Sequence, residues 1–128
     1  MNRNHNIGVA SQIGTYSDAV EVPPNSRLLF TAGTPGLGVD GSLPETIAEQ
    51  ASIAWANIVA ILERAGMQVG DLVKVTQYLL RAEDIADYAK VRAEFLGSAR
   101  PASMLLIVPA LVRPGFLLEI EAVAARAV

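Results

Sequence analysis

Apolar and polar positions along the chain change their period several times, and each change predicts a new element. Between Pro44 and Ala65, apolar residues recur at steps of four, three, four and four, which is the spacing of one helix face. They are Ile47, Ala51, Ala54, Ile58 and Leu62. Pro44 suits the first turn of a helix and Gly66 suits its end. We therefore predict an amphipathic helix of about six turns.

A second helix is predicted at residues 83 to 97, where the sequence EDIADYAKVRAEFLG returns to helical spacing. Its apolar stripe consists of Tyr88, Val91 and Phe95. Asp84 precedes the stripe, and we expect it to be the N-cap of this helix because aspartate is favoured there.

Four further stretches predict β-strands. In VEVPPNSRLLFTAG, residues 20 to 33, a Pro-Pro-Asn-Ser turn between extended pieces predicts a hairpin whose second strand covers roughly residues 27 to 32. Residues 71 to 80 are rich in β-branched side chains. Alternation along this stretch places four residues on one face, namely Val73, Val75, Gln77 and Leu79. Strands near residues 102 to 108 and 116 to 124 complete the order β-β-α-β-α-β-β.

The last predicted strand carries two acids, Glu119 and Glu121, inside an apolar run. Alternation puts them on one face, while the other face is purely apolar with Leu118, Ile120, Ala122 and Ala124. Two helices of this length cover one face of a sheet. We expect the apolar face to pack on the helices and the acidic face to look toward a subunit interface or a cleft in it. A partly desolvated carboxylate there is either an ion-pair partner or a chemical group, and the residues alone favour neither.

Composition points to one domain, residues 1 to 128, with a surplus of apolar surface. Hydrophobic residues make up 52% of the chain, 18% are charged, and the mean hydropathy is +0.35. The sequence shows neither a membrane-length apolar run nor the apolar stretch of a signal peptide, so we expect a cytoplasmic protein without a membrane partner. A homo-oligomer is expected to bury the surplus.

Charge and residue types exclude several kinds of function. The net charge is −3, the pI is near 5.0, and the basic residues are scattered, which argues against a nucleic-acid partner. There is no cysteine, and the one histidine, His5, lies in a polar segment that we expect to be flexible and solvated, so a His- or Cys-based metal site is not expected. Trp55 is expected to pack in the core or an interface.

Residues 100 to 125, RPASMLLIVPALVRPGFLLEIEAVAA, closely resemble the C-terminal signature of the Rid or YjgF family of enamine/imine deaminases, also described as endoribonuclease L-PSP-like. IGTYSDAV, LLFTAGTPG, LERAGMQVGDLVKVTQYL and IADYAKVRAEF agree with the family in the same order. The resemblance implies a chorismate-mutase-like α+β fold in which a mixed sheet carries two helices on one face. It also implies a homotrimer whose sheets line a central barrel, with three clefts between subunits.

The resemblance implies hydrolysis of small-molecule substrates, 2-imino acids, to 2-oxo acids and ammonia without a metal or an organic cofactor. In the family an arginine binds the substrate carboxylate through two hydrogen bonds, and a glutamate helps to hold and activate the attacking water. Glu119 matches that glutamate and is the candidate catalytic residue. Tyr16 matches a family tyrosine near the same cleft.

Three positions depart from the deaminase pattern. Ser103 stands where the family has its carboxylate-binding arginine, Ala32 stands at a serine position, and Arg92 replaces an asparagine on the second helix. Arg92 either restores an anion site in the cleft, or is a solvated surface residue, or pairs with an acid such as Asp84, Asp87 or Glu94. Arg100 either reaches the cleft rim or is a surface arginine ending a loop.

These features leave three hypotheses. The first is a cofactor-free hydrolase of a small imine or enamine, in which the missing arginine argues against a simple 2-imino acid as substrate. The second is a non-catalytic trimer that binds a small metabolite. The third, a ribonuclease or translation inhibitor, is opposed by the acidic pI and the absence of a basic stripe.

Overall fold

The computed structural model describes residues 1–128 and contains two α-helices, three short 3-10 helices and seven strands. In chain order the strands and α-helices are β1 Arg3–His5, β2 Ala19–Glu21, β3 Ser26–Phe30, β4 Thr34–Pro35, α1 Ile47–Arg64, β5 Leu72–Leu79, α2 Ile85–Leu96, β6 Ala102–Ile107 and β7 Leu118–Ala127. The main sheet has the order β3-β7-β5-β6, and β4 also pairs with β7. Only β5 and β6 are parallel, so the sheet is mixed.

The apolar face of β7 carries the core, as the alternation predicts. Its four apolar residues, Leu118, Ile120, Ala122 and Ala124, are at most 3% exposed and belong to one cluster with the inner faces of α1 and α2. Trp55 is fully buried in the same cluster and stacks on Phe95 at a ring distance of 6.3 Å. The α+β prediction with both helices on one face of a mixed sheet is confirmed.

Local signals define both ends of α1. The helix begins at Ile47, because Thr46 is the N-cap and its hydroxyl accepts a hydrogen bond from the Glu49 amide at 3.2 Å. The predicted start at Pro44 was therefore too early. At the other end Gly66 has a φ of 71°, and the Met67 amide donates to the Leu62 carbonyl at 2.8 Å. This left-handed glycine ends the helix where the sequence predicted.

The predicted hairpin is wrong. The two extended pieces around the Pro-Pro-Asn-Ser turn lie in different sheets, because β2 pairs with β1 and β3 pairs with β7. A turn signal shows that the chain reverses, but it does not show which strand each piece will pair with.

The predicted alternation of β5 fails at its first residues. Val75, Gln77 and Leu79 are at most 1% exposed, as expected, but Leu72 is buried and Val73 is only half-buried. The register with β7 shifts between Leu72 and Lys74, and this irregularity reverses the inside-outside order.

Two acidic or basic side chains behave differently from the prediction. Asp84 occupies the N-cap position of α2 but makes no capping hydrogen bond, because both its carboxylate oxygens bind the guanidinium of Arg81, at 2.8 and 3.2 Å. His5 is exposed but lies in β1, and its Nε2 is 2.8 Å from Glu21 Oε1. This pair holds the pKa of Glu21 below its ordinary value.

The helix-free face of the main sheet exposes large apolar side chains. Leu28 and Phe30 on β3 are 55% and 69% exposed, and Met104 and Leu106 on β6 are 46% and 41% exposed. We call these four residues and the strands between them the open face. Neither α1 nor α2 combines the length and the apolar composition that a membrane-spanning helix needs.

Candidate functional site

A hydrogen-bond network forms around Gln77 on the helix-covered face of β5. The Gln77 side chain is fully buried. Its Oε1 accepts hydrogen bonds from the Tyr88 hydroxyl at 2.7 Å and from Arg92 at 3.0 Å. Its Nε2 donates to Ser103 Oγ at 2.9 Å and to the Met104 carbonyl at 2.8 Å, with the Val75 carbonyl more distant at 3.4 Å. One amide thus connects α2, β5 and β6.

The guanidinium of Arg92 reaches this network instead of pairing with an acid. Its carbon atom Cζ lies 5.4 Å from the centre of the Tyr88 ring, in cation–π geometry. No ion pair joins Arg92 to Asp84, Asp87 or Glu94. The interpretation of Arg92 as a partner of one of these acids is wrong, and its charge is not neutralised within the chain.

Tyr88 is the buried support of the network. Burial raises the pKa of its hydroxyl above the ordinary value of 10.0, and the nearby guanidinium of Arg92 only partly opposes this shift. The hydroxyl therefore stays protonated and donates to Gln77. The indole nitrogen of Trp55, in the same core cluster as Tyr88, is buried without a hydrogen-bond partner.

The segment that carries Tyr16 lies against the start of β6. The next residue, Ser17, is 2% exposed and forms a parallel bridge with Ala102. The Ser17 hydroxyl donates to the Arg100 carbonyl at 2.6 Å, and its amide donates to the Pro101 carbonyl at 3.3 Å. Tyr16, which is half-buried, is therefore held near the start of β6.

Arg100 is held at the end of α2. Its Nη1 donates to the carbonyls of Gly97 and Ala99, both at 2.8 Å. A cation that binds carbonyls beyond a helix C-terminus has a structural role there. This geometry favours the interpretation of Arg100 as the arginine that ends a loop.

Glu119 lies on the opposite, helix-free face of the sheet, against the segment that contains Ala32. It is half-buried and pairs across the ladders with Tyr78 on β5 and Pro35 on β4. Its carboxylate approaches Gly33 so closely that an added Cβ there would lie 2.9 Å from Glu119 Oε1. The side chain makes no hydrogen bond or ion pair in the chain, so the carboxylate is free to bind a ligand or a water molecule.

The second acid of β7 has a different environment. Glu121 is exposed and accepts a hydrogen bond from the Tyr78 hydroxyl at 3.2 Å. The pKa of the Tyr78 hydroxyl is raised, mainly because burial removes it from water and also because Glu121 places a negative charge and a hydrogen bond beside it. The two carboxylates share a face as predicted, but only Glu121 has a partner.

The candidate residues therefore form two groups in one chain. The first is the Gln77 network with Arg92 and Ser103, on the helix side. The second is Glu119 with the Ala32 segment, on the open side. Cross-strand partners share a face of the sheet. Ser103 pairs with Val75, whereas Glu119 pairs with Tyr78 on the opposite face of β5. The two groups therefore lie on opposite faces of the sheet within the chain.

Comparison with known proteins gives a consistent result. A family model described as Endoribonuclease L-PSP matches residues 8–126. A RutC family protein of Pyrococcus abyssi is 38% identical over 119 residues, which cover 88% of this chain and 87% of that protein.

Two solved structures resemble the whole fold. A Rid-family protein of Yersinia pestis, YyfB, has a TM-score of 0.85 at 27% identity and 98% coverage of both chains. TdcF of Escherichia coli, solved with bound serine, has a TM-score of 0.75 at 30% identity, covering 90% of this chain and 91% of that one. The curated name of TdcF describes a candidate reactive intermediate deaminase.

Proposed function

Because the chain belongs to the Endoribonuclease L-PSP family, the Rid or YjgF family, we propose that it hydrolyses a small reactive imine or enamine metabolite. The observation that carries the proposal is the Glu119 carboxylate, which is half-buried, lies close to Gly33 and is free of any ion pair. A carboxylate that only stabilised the fold would be expected to have a partner.

The proposed reaction uses Glu119 as a general base and then as a general acid. The carboxylate takes one proton from a water molecule while the water oxygen adds to the imine carbon. Glu119 passes this proton to the nitrogen, which gives a neutral tetrahedral adduct with one hydroxyl and one amino group. Glu119 then takes the hydroxyl proton as the adduct collapses to a carbonyl, and delivers it to the nitrogen as the C–N bond breaks. An imine and one water thus give a carbonyl compound and ammonia; an enamine first becomes the imine by gaining a proton at carbon and losing one from nitrogen.

We further propose that the site is a cleft between subunits of a homotrimer. Glu119 and Ser103 lie on opposite faces of one sheet, so one subunit alone cannot bring both to the same ligand. The apolar open face supports assembly, because Phe30 and its three apolar companions would be covered by neighbouring copies. Glu119 of one subunit would then face Arg92, Ser103 and Tyr16 of the next.

The substrate of this proposal is not a simple 2-imino acid. By the resemblance, Ser103 stands at the position of the family's carboxylate-binding arginine. A serine offers one neutral donor, whereas a guanidinium offers a positive charge and two parallel N–H groups. A substrate whose only anchor is a carboxylate next to the imine carbon would therefore bind weakly.

The experiment is a trapping assay. An amino acid oxidase generates 2-imino acids and an amine oxidase generates imines without a carboxylate, while semicarbazide traps both; an active protein suppresses trapping by hydrolysing the imine first. We expect suppression that Glu119→Gln abolishes and Glu121→Gln leaves intact. The control matches in strand, face and charge, since both residues lie on β7. Suppression that survives Glu119→Gln would refute the assignment of this residue.

The alternative is a trimer of the same family that binds a small metabolite without turning it over. The feature in its favour is Ser103, which by the resemblance stands where the family has its substrate-binding arginine. It predicts no suppression with any imine, together with saturable binding of a product-like carbonyl compound that Glu119→Gln does not abolish.

A further inference from the structure

We propose that Gln77 is a positioning residue that makes Arg92 and Ser103 a two-donor site for a carboxylate of the ligand. The inference rests on the proposed function for the location of these residues in a substrate cleft. The binding preference itself is measurable without any reaction. The sequence pattern marks Gln77 only as a polar residue on an otherwise apolar face of β5.

The orientation of the Gln77 amide is fixed independently at each end. Arg92 carries only donors, so the atom that it contacts at 3.0 Å must be the amide oxygen. The Met104 carbonyl is only an acceptor, so the atom 2.8 Å from it must be the amide nitrogen. A flipped amide would place like groups together at both ends.

This orientation decides what Ser103 offers a ligand. Of the two N–H groups of Gln77, one is directed to the Met104 carbonyl and the other to Ser103 Oγ at 2.9 Å. The serine oxygen must therefore accept, and its own proton has no acceptor in the chain. Because Ser103 is half-buried, this proton is available to an acceptor that enters from outside.

Arg92 offers charge as well as donors. Gln77 binds it with a neutral oxygen, the Tyr88 ring supports it at 5.4 Å, and no carboxylate contacts it. One of its five N–H groups is directed to Gln77 and the others have no acceptor in the chain. The guanidinium is thus positioned without being neutralised.

Ser103 and Arg92 offer a ligand only hydrogen-bond donors and one positive charge, and this combination favours a carboxylate. A carboxylate has two acceptor oxygens and a negative charge, whereas an ammonium group would be repelled and a neutral amide would bring its own N–H groups toward donors. The guanidinium comes from α2 and not from the β6 position of the family arginine. A carboxylate bound here is held in a different place, which agrees with a substrate other than a simple 2-imino acid.

The experiment compares two probes by isothermal titration calorimetry: 4-oxopentanoate, whose carboxylate is separated from its carbonyl group, and the neutral primary amide of this acid. We expect the wild-type protein to bind the carboxylate more tightly. Arg92→Gln keeps a donor near Gln77 but removes the charge, and should weaken carboxylate binding about tenfold or more and remove the preference. Arg92→Lys should retain part of it. Arg27→Gln is the matched control, because exposed Arg27 also donates to an uncharged acceptor, the Ala65 carbonyl at 3.0 Å.

Two further variants test the coupling through Gln77. Ser103→Ala should weaken carboxylate binding by about two- to tenfold, the effect of one neutral hydrogen bond. The carboxylate introduced by Gln77→Glu should form an ion pair with Arg92 and accept the hydrogen bond of the Ser103 hydroxyl. This variant should therefore lose the preference for the carboxylate probe although Arg92 is still present. If Gln77→Glu fails to fold, the double variant of Arg92 and Ser103 replaces it, and non-additive losses in affinity are the expected result.

Equal binding of the two probes by the wild-type protein, no binding of the carboxylate, or a preference that persists in Arg92→Gln would overturn the inference. Failure of the proposed function looks different. A carboxylate preference without hydrolysis would contradict only the proposed reaction, and hydrolysis of neutral imines without a preference would contradict only this inference.

Discussion

Replacing Gly33 by alanine is expected to displace the Glu119 carboxylate and leave the fold intact. The added Cβ would lie 2.9 Å from Glu119 Oε1 and 3.7 Å from its carboxylate carbon, and it would meet no other heavy atom within 4 Å. The backbone at Gly33 does not have a positive φ, so alanine fits there without strain. The atoms that must move are the far end of a flexible side chain.

The size of the effect follows from these distances. The carboxylate must retreat by about half an ångström to reach ordinary contact at about 3.4 Å. A misplacement of about 1 Å at a reacting group costs about a hundredfold in rate, so we expect kcat to fall about tenfold. Glycine-to-alanine changes at compatible backbone positions stabilise by about 0.4–1 kcal/mol, so the free energy of unfolding should not fall.

The assay is imine trapping for the rate, with thermal melting for stability. Gly70→Ala is the matched control, because a Cβ there meets nothing within 4 Å and its φ is not positive. We expect the control to match the wild type in both measurements. If Gly33→Ala hydrolyses the imine as fast as Gly70→Ala, Glu119 does not need its position against Gly33 and the assignment fails.

Three further changes test other parts of the structure. Gln50→Leu removes three buried hydrogen bonds to backbone groups, of 2.8, 2.8 and 2.9 Å, and should lower the free energy of unfolding in urea by about 3 kcal/mol or more. Hydrogen bonds from backbone N–H groups lower the pKa of Asp18 below its ordinary value of 3.8. The Asp18 carboxylate therefore stabilises the fold above pH 3.8, and this stabilisation is lost as the pH falls through the lower pKa of the folded state. The melting temperature of Asp18→Asn should lack this dependence on acid. Phe30→Asp, at 69% exposure on the open face, should yield smaller species in sedimentation than Val39→Asp, whose residue is fully exposed in a loop; equal masses would contradict the trimer.

The sequence predicts those parts of the fold whose signals are local. The alternation in β7 identifies Ile120 and its apolar neighbours as core because period two is enough to assign a buried face. The pairing of β3 with β7 joins residues nearly a hundred positions apart, as in Leu29 with Ala124, and no local pattern specifies it. The irregularity at Leu72 is equally invisible, because it depends on the register with a partner strand.

The candidate site divides in the same way. Glu119 is conspicuous in sequence because it interrupts an apolar strand. Gln77 carries a similar signal, one polar residue between Val75 and Leu79, and a buried amide needs partners. Those partners come from α2 and β6, and only the folded chain shows that Arg92 and Ser103 meet at the two ends of this amide.

The central position of β7 also affects how the protein folds. β7 is the last of the strands along the chain, yet it pairs with β3, β4 and β5. During synthesis the buried faces of α1 and β5 leave the ribosome before the strand that completes their core, so apolar residues such as Leu79 stay exposed until β7 emerges. Pairings this distant in sequence are typical of domains that fold in milliseconds to seconds. Nascent chains of this protein are therefore expected to be vulnerable to aggregation until the final strand inserts between β3 and β5.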